Sequence, residues 1–218
     1  MTSEVKPEPC SPGAVPGHRR FQIALERARA DWVAADPAIS AALAGCSYTS
    51  EGIAVPFFGS PHLVTHPAGE VISQPGPKAK PAHPSVAILM LHYLATADGM
   101  RPADRWVSFR ELPDGLFYAQ AFAGHAEGLL AERFGVALDR FRRRCEELGG
   151  SPLNLADASF RFQALPRLAM AALLWEGDEE FPAQARILFD ASAGHYLPTE
   201  DLSGTGDWLA HRLTREPG

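Results

Sequence analysis

The stretch L-P-R-L-A-M-A-A-L-L-W-E-G-D-E-E-F-P (residues 165–182), followed by I-L-F-D-A-S-A-G-H-Y-L-P-T-E-D-L (187–202), decides how this chain is read. Leu168 to Trp175 reads as a strand, and Leu173, Leu174 and Trp175 are apolar without alternation, the pattern of a strand covered on both faces. It stops at Glu176, Asp178, Glu179 and Glu180, with Gly177 as a turn residue among them. The second apolar run, Ile187, Leu188 and Phe189, fits either another strand or the end of a short helix. His195 follows alone in a loop. A helix over 199–212 then begins at Thr199, a good N-cap, with Glu200 and Asp201 in the first turn, where the helix dipole favours negative charge.

Working outward, Phe160, Arg161 and Phe162 predict a further strand before this stretch. Leu138, Phe141, Cys145 and Leu148 mark a helix closed by Gly149 and Gly150, and a long helix is predicted over 116–133. Residues 105–112, R-W-V-S-F-R-E-L, alternate as a strand does, which would put Arg110 and Glu111 on opposite faces. Residues 85–97 predict a buried helix carrying Val86, Ile88, Leu89, Leu91, His92 and Leu94. Between 46 and 73, short apolar pieces separated by glycine and proline predict a small antiparallel sheet, with Pro67, Ala68 and Gly69 as one turn. Nearer the N-terminus, Phe21, Leu25, Ala28 and Trp32 recur at helical spacing over 18–35, and a short helix through Ile39 and Leu43 stops at Gly45. Pro7, Pro9, Pro12 and Pro16 make residues 1–17 a disordered leader. The class is therefore α+β: one domain over 18–218, a small, mostly antiparallel sheet packed with several helices.

Composition narrows the functional classes. The 218 residues are 46% hydrophobic and 21% charged, an ordinary globular balance. The net charge is −6, and residues 151–218 hold ten acidic side chains against five arginines. An acidic surface repels phosphate backbones, so nucleic acid is not an expected partner. Cys10, Cys46 and Cys145 are odd in number, far apart and without a C-x-x-C, which fits free thiols in a reducing cytoplasm rather than a disulfide framework. The first residues lack the order of a signal peptide, and no apolar run is long enough to span a membrane, so a cytoplasmic location is expected. No G-x-S-x-G, P-loop or G-x-G-x-x-G occurs.

Six ordered motifs carry a resemblance. They are F-F-G (57–59), I-L-M-L-H-Y-L (88–94), W-V-S-F-R-E-L-P (106–113), L-W-E-G-D-E-E-F-P (174–182), I-L-F-D (187–190) and H-Y-L-P-T-E-D-L (195–202). Together they resemble the uncharacterised family catalogued as domain of unknown function 3786, from about residue 20 to the C-terminus. Some relatives carry a cysteine-rich iron–sulfur module ahead of this domain, in anaerobic, corrinoid-linked settings. The resemblance thus implies a cofactor-associated role, with a small-molecule ligand or a redox or corrinoid protein as partner. This chain departs from those relatives: its leader has one cysteine, Cys10, and cannot hold a cluster by itself.

Several residues could carry chemistry. Glu176, Asp178 and Glu179, joined by His195, have the oxygen and imidazole donors of a divalent-metal site; a solvated turn, with a carboxylate paired to Arg110 or Arg167, is the plainer alternative. His195 with Asp190 or Glu179 could act as an acid–base pair. His92 shares a helix face with Ile88 and Leu89, which suits a neutral core histidine with one hydrogen bond, or an axial ligand to the iron or cobalt of a tetrapyrrole or corrinoid. A pocket for such a cofactor would be lined by Phe57, Phe58, His92 and the loop of His195 and Tyr196. His125 is expected to be packing. The basic run Arg142, Arg143 and Arg144 suits a solvated face or an anionic ligand. The leading expectation is a ligand- or cofactor-binding accessory protein. The alternatives are an acid–base or metal-assisted enzyme and a subunit that docks a basic partner through its acidic face.

Overall fold

The computed structural model describes residues 16–215. The leader expected over 1–17 lies outside the described residues except for Pro16 and Gly17, which already open helix α1 (Pro16–Val33). Proline is tolerated at a first helical position because its missing N–H has no partner there anyway. Trp32, fully buried, fixes α1 to the first sheet by donating its indole N–H to the Thr65 carbonyl at 3.0 Å. Asp36 then caps α2 (Pro37–Ala44), accepting from Ala38 N and Ile39 N, and Gly45 ends it in the left-handed region at φ 69°. A five-stranded antiparallel meander follows: β1 (Ser47–Thr49), β2 (Gly52–Ala54), β3 (His62–Val64), β4 (Val71–Ser73) and β5 (Lys80–Pro81).

Helix α3 (Pro84–Thr96) leads to the second antiparallel sheet, ordered β6-β10-β9-β8-β7. Its strands are β6 (Trp106–Ser108), β7 (Ser151–Pro152), β8 (Ala158–Leu165), β9 (Leu168–Trp175) and β10 (Gln184–Asp190). β9 is the central strand and is buried on both faces from Leu168 to Leu174. Ile187, Leu188 and Phe189 are strand: they pair with Ala172, Ala171 and Met170. A continuous helical run spans α4 (Gly115–Phe122), a π turn (Ala123–Glu127) and α5 (Gly128–Phe134); α6 (Leu138–Glu147) and α7 (Thr199–Thr214) complete the α+β domain. One apolar core joins both sheets, from Ile53 and Val64 in the meander to Leu174 and Phe189 in the second sheet. No described helix is long and apolar enough to cross a membrane.

Two local expectations need correction. Residues 105–112 are strand only from Trp106 to Ser108, because Glu111 turns back to accept from Ser108 N (2.8 Å) and Ser108 Oγ (2.7 Å). That capping closes a 3-10 turn over Phe109–Glu111, so Arg110 and Glu111 do not lie on opposite strand faces. Thr199 is not the cap of α7. Pro198 occupies that position, and the Thr199 hydroxyl donates to the Pro113 carbonyl instead.

Candidate functional site

A cleft of about 760 Å³ lies among α1, α3 and α7. Ser85, Ile88, Leu89 and His92 face it from α3, and Phe21 and Ala24 from α1. From α7 come Glu200, Asp201, Gly204, Asp207, Trp208 and His211, residues that recur at helical spacing and so form one stripe. The two glycines of α7 have opposite surroundings. A side chain at Gly206 would strike the Phe122 ring at 2.4 Å, whereas one at Gly204 would meet nothing within 4 Å. Gly206 lets the helix settle on the core, and Gly204 keeps the cleft open.

In the wall of the cleft, His92 Nδ1 and Asp201 Oδ2 are 2.5 Å apart. The histidine side chain is 36% exposed and the aspartate 17%. The hydrogen bond that Asp201 accepts raises the His92 pKa; burial opposes the rise, and the negative charges of Asp201, Asp31 and Glu200 reinforce it. With that exposure His92 is not the core histidine its helix face suggested. It is the imidazole half of a partly exposed pair, and with Nδ1 committed to Asp201 its second nitrogen, Nε2, is the one available to a ligand. Asp207 pairs with His125 at 2.5 Å, so His125 is more than packing. Burial raises the Asp207 pKa despite the opposing pull of His125 and His211.

The remaining sequence candidates are dispersed. Phe57 sets its ring edge-on to Trp208 at 5.9 Å and so backs the cleft, while Phe58 lies 5.7 Å below the Arg212 guanidinium. Tyr196 is buried, donates to the Met100 carbonyl and packs against Tyr93. His195 is exposed and pairs with Asp98 at 2.6 Å, not with Asp190 or Glu179. Asp190 accepts from Ala103 N and from the Ser192 N–H and hydroxyl; burial works to raise its pKa, but these bonds hold it below the ordinary value. It organises the loop after β10.

The set Glu176, Asp178, Glu179 and His195 is not brought together. The three carboxylates occupy the β9–β10 turn, where Asp178 accepts from Glu180 N and Phe181 N, and His195 lies past the opposite end of β10. Seven residues of strand separate the two ends, roughly 20 Å at the usual rise. Among the described residues no group of three or more His, Cys, Asp or Glu side chains is placed to hold a metal ion. Neither Arg110 nor Arg167 pairs with these carboxylates; Arg167 Nε is buried with no hydrogen-bond partner among the described residues. Burial raises the Cys46 thiol to about 12 and pushes Cys145 up as well, so neither is a ready thiolate.

Asp201, Asp207, Trp208 and His211 escaped the sequence reading. Their signal was the polar stripe of α7, obscured because first-turn capping already accounted for Glu200 and Asp201. The sequence profile of the family described as "Domain of unknown function (DUF3786)" matches residues 36–212. Neither the comparison with curated proteins nor that with solved structures returns a match.

Proposed function

The chain belongs to the DUF3786 family, and we propose that within it this protein binds a small ligand or cofactor in the α1/α3/α7 cleft. The observation that carries the reading is the His92–Asp201 pair, set at 2.5 Å in this cleft. The cleft volume lies in the range of small-molecule sites, roughly 300–1,000 Å³. Its walls combine Phe21, Ile88, Leu89 and Trp208 with a few polar groups, the usual make-up of a site that takes an organic ligand. A histidine whose Nδ1 is held by a carboxylate is also oriented as metal-ligating histidines generally are. A tetrapyrrole- or corrinoid-type cofactor therefore suits His92 as axial ligand, with Asp201 fixing its tautomer. The accessory role in redox or corrinoid metabolism rests on the sequence resemblance alone.

The test is an absorbance titration of the purified chain with hydroxocobalamin and, separately, with haemin. Saturable binding with shifted cofactor bands is expected for one of them. His92→Ala should abolish the shift, and Asp201→Asn should weaken affinity about 10- to 100-fold. No binding of either probe, or binding that His92→Ala leaves unchanged, overturns the cofactor reading. An acid–base enzyme is the second reading. We centre it on His92 rather than His195, because His92, with its carboxylate partner, lines a cleft of ligand size.

A further inference from the structure

We infer that the exposed face of α4 is where two copies of this chain pair side by side. The segment G-L-F-Y-A-Q-A-F of α4 contains no charged residue. A surface helix ordinarily turns charged or polar side chains to water. Here Leu116 is 57% exposed, Phe117 83% and Tyr118 56%. Single exposed apolar side chains are common, but three in succession form a patch of the kind that marks a protein interface.

The packing beneath α4 fixes which side chains turn outward. Gly115 lies so close to Phe109 that a side chain there would meet the Phe109 carbonyl oxygen at 2.0 Å. Phe122 stacks on the Phe109 ring, 4.3 Å between centroids. Gly115 and Phe122 are seven positions apart and share the buried face, so helical spacing sends Leu116, Phe117, Gln120 and Ala121 to the other side. Two grooves flank this outward face. One holds Asp114 and Glu200 beside Phe117 and Tyr118. The other holds Arg110 beside Leu116, Ala119 and Gln120; the Glu127 and Arg186 that also line it neutralise each other. Among the described residues, the side chains of Arg110 and Asp114 have no hydrogen bond or ion pair. Opposite charges thus stand on opposite flanks of one apolar helix, both near its N-terminal end. A two-fold axis running along α4 keeps the helix ends level and exchanges the flanks. It sets Arg110 of each copy against Asp114 of the other, with Leu116 and Phe117 between them. The surface is therefore complementary to itself, which names a second copy as the occupant. A partner of one charge sign would satisfy only one flank.

The test is sedimentation velocity of the full chain at about 1 to 200 μM, a range that resolves a dimer of micromolar affinity. The average mass should rise from that of one chain toward that of two. Phe117→Asp, at a side chain already exposed, should weaken association at least about tenfold while leaving the urea melt of the fold unchanged. Arg110→Gln and Asp114→Asn should each weaken it about three- to tenfold, since the pair occurs twice about the axis, and the double variant should associate no more weakly than either single one. Val136→Ser, at an exposed apolar residue beyond the far end of α5, should leave association unchanged. A parent that stays monomeric throughout assigns the face to another occupant, a membrane or an unrelated protein, and overturns the inference. So does a dimer that Phe117→Asp leaves intact, or one that Val136→Ser weakens equally. Additive losses in Arg110→Gln and Asp114→Asn overturn it as well, because they mean that the two side chains do not face each other.

Discussion

Asp201 shows how much one side chain can change the meaning of another. Its carboxylate raises the His92 pKa above the ordinary value of 6.5. Because the folded pKa lies above the unfolded one, the pair stabilises the fold fully below about pH 6.5 and loses that contribution as pH rises through the folded pKa. With 36% of the histidine side chain exposed, solvent screening limits the effect to about 1 kcal/mol. Asp201→Asn removes it. The stability difference between parent and variant, measured by urea denaturation, should be widest near about pH 6 and shrink to a pH-independent remainder by about pH 9. The His125–Asp207 and His195–Asp98 pairs are common to both proteins and cancel. A difference that is flat with pH, or that grows toward alkaline pH, contradicts the coupling. None of this was legible in the sequence, because His92 and Asp201 are 109 positions apart and helical spacing identifies a face without naming its partner.

At the scale of elements, legibility followed burial. β9 could be recognised because an unbroken apolar run has few other uses, and its hairpin partner β10 settled the ambiguous Ile187 segment by pairing. The π turn at Ala123–Glu127 gave no sign of itself, since its residues fit an ordinary helix. It nevertheless sends His125 to Asp207 on α7 and Glu127 to β10. The reason lies in β6, which the Ser108–Glu111 turn ends early. β6 borders β10 only at Leu188, Phe189 and Asp190, so the Ile187 N–H on that edge has no strand to pair with. Glu127, 6% exposed, supplies the acceptor at 3.1 Å and also holds Arg186 at 2.9 Å. Glu127→Ala should therefore cost about 2–3 kcal/mol, the usual cost of leaving a buried donor unmatched, whereas Glu127→Gln keeps an acceptor and should cost about 1 kcal/mol. Denaturant melts of both variants make the comparison. If the two substitutions cost the same, Glu127 is not completing the sheet edge.

For the whole molecule, the two sheets could have been two folding units, since the meander pairs with no strand of the other sheet. Three contacts argue that they are one. Phe58 N donates to Ala164 O at 2.9 Å, so the F-F-G turn reaches from the meander to β8. Phe57 rests against Trp208 of α7. The Tyr93 hydroxyl, on α3, donates to Ala44 O at 2.7 Å and accepts from Arg167 N at 3.0 Å, bridging α2 to the turn between β8 and β9. These side chains belong to the same buried core, so neither sheet can open without exposing apolar surface of the other. Unfolding should accordingly be a single cooperative transition. Trp32 reports on the meander, while Trp106, Trp175 and Trp208 report on β6, β9 and α7, so tryptophan fluorescence can be compared with far-ultraviolet circular dichroism, which follows all the helices. The two urea curves should coincide in the parent, and a variant keeping only Trp32, the others changed to Phe, should give the same midpoint by fluorescence as by dichroism. An earlier Trp32 transition would mean that the meander and α1 come away first. The cleft wall contributed by α1 would then be able to open while α3 and α7 stay folded, and ligand binding in the cleft would protect α1 against that opening.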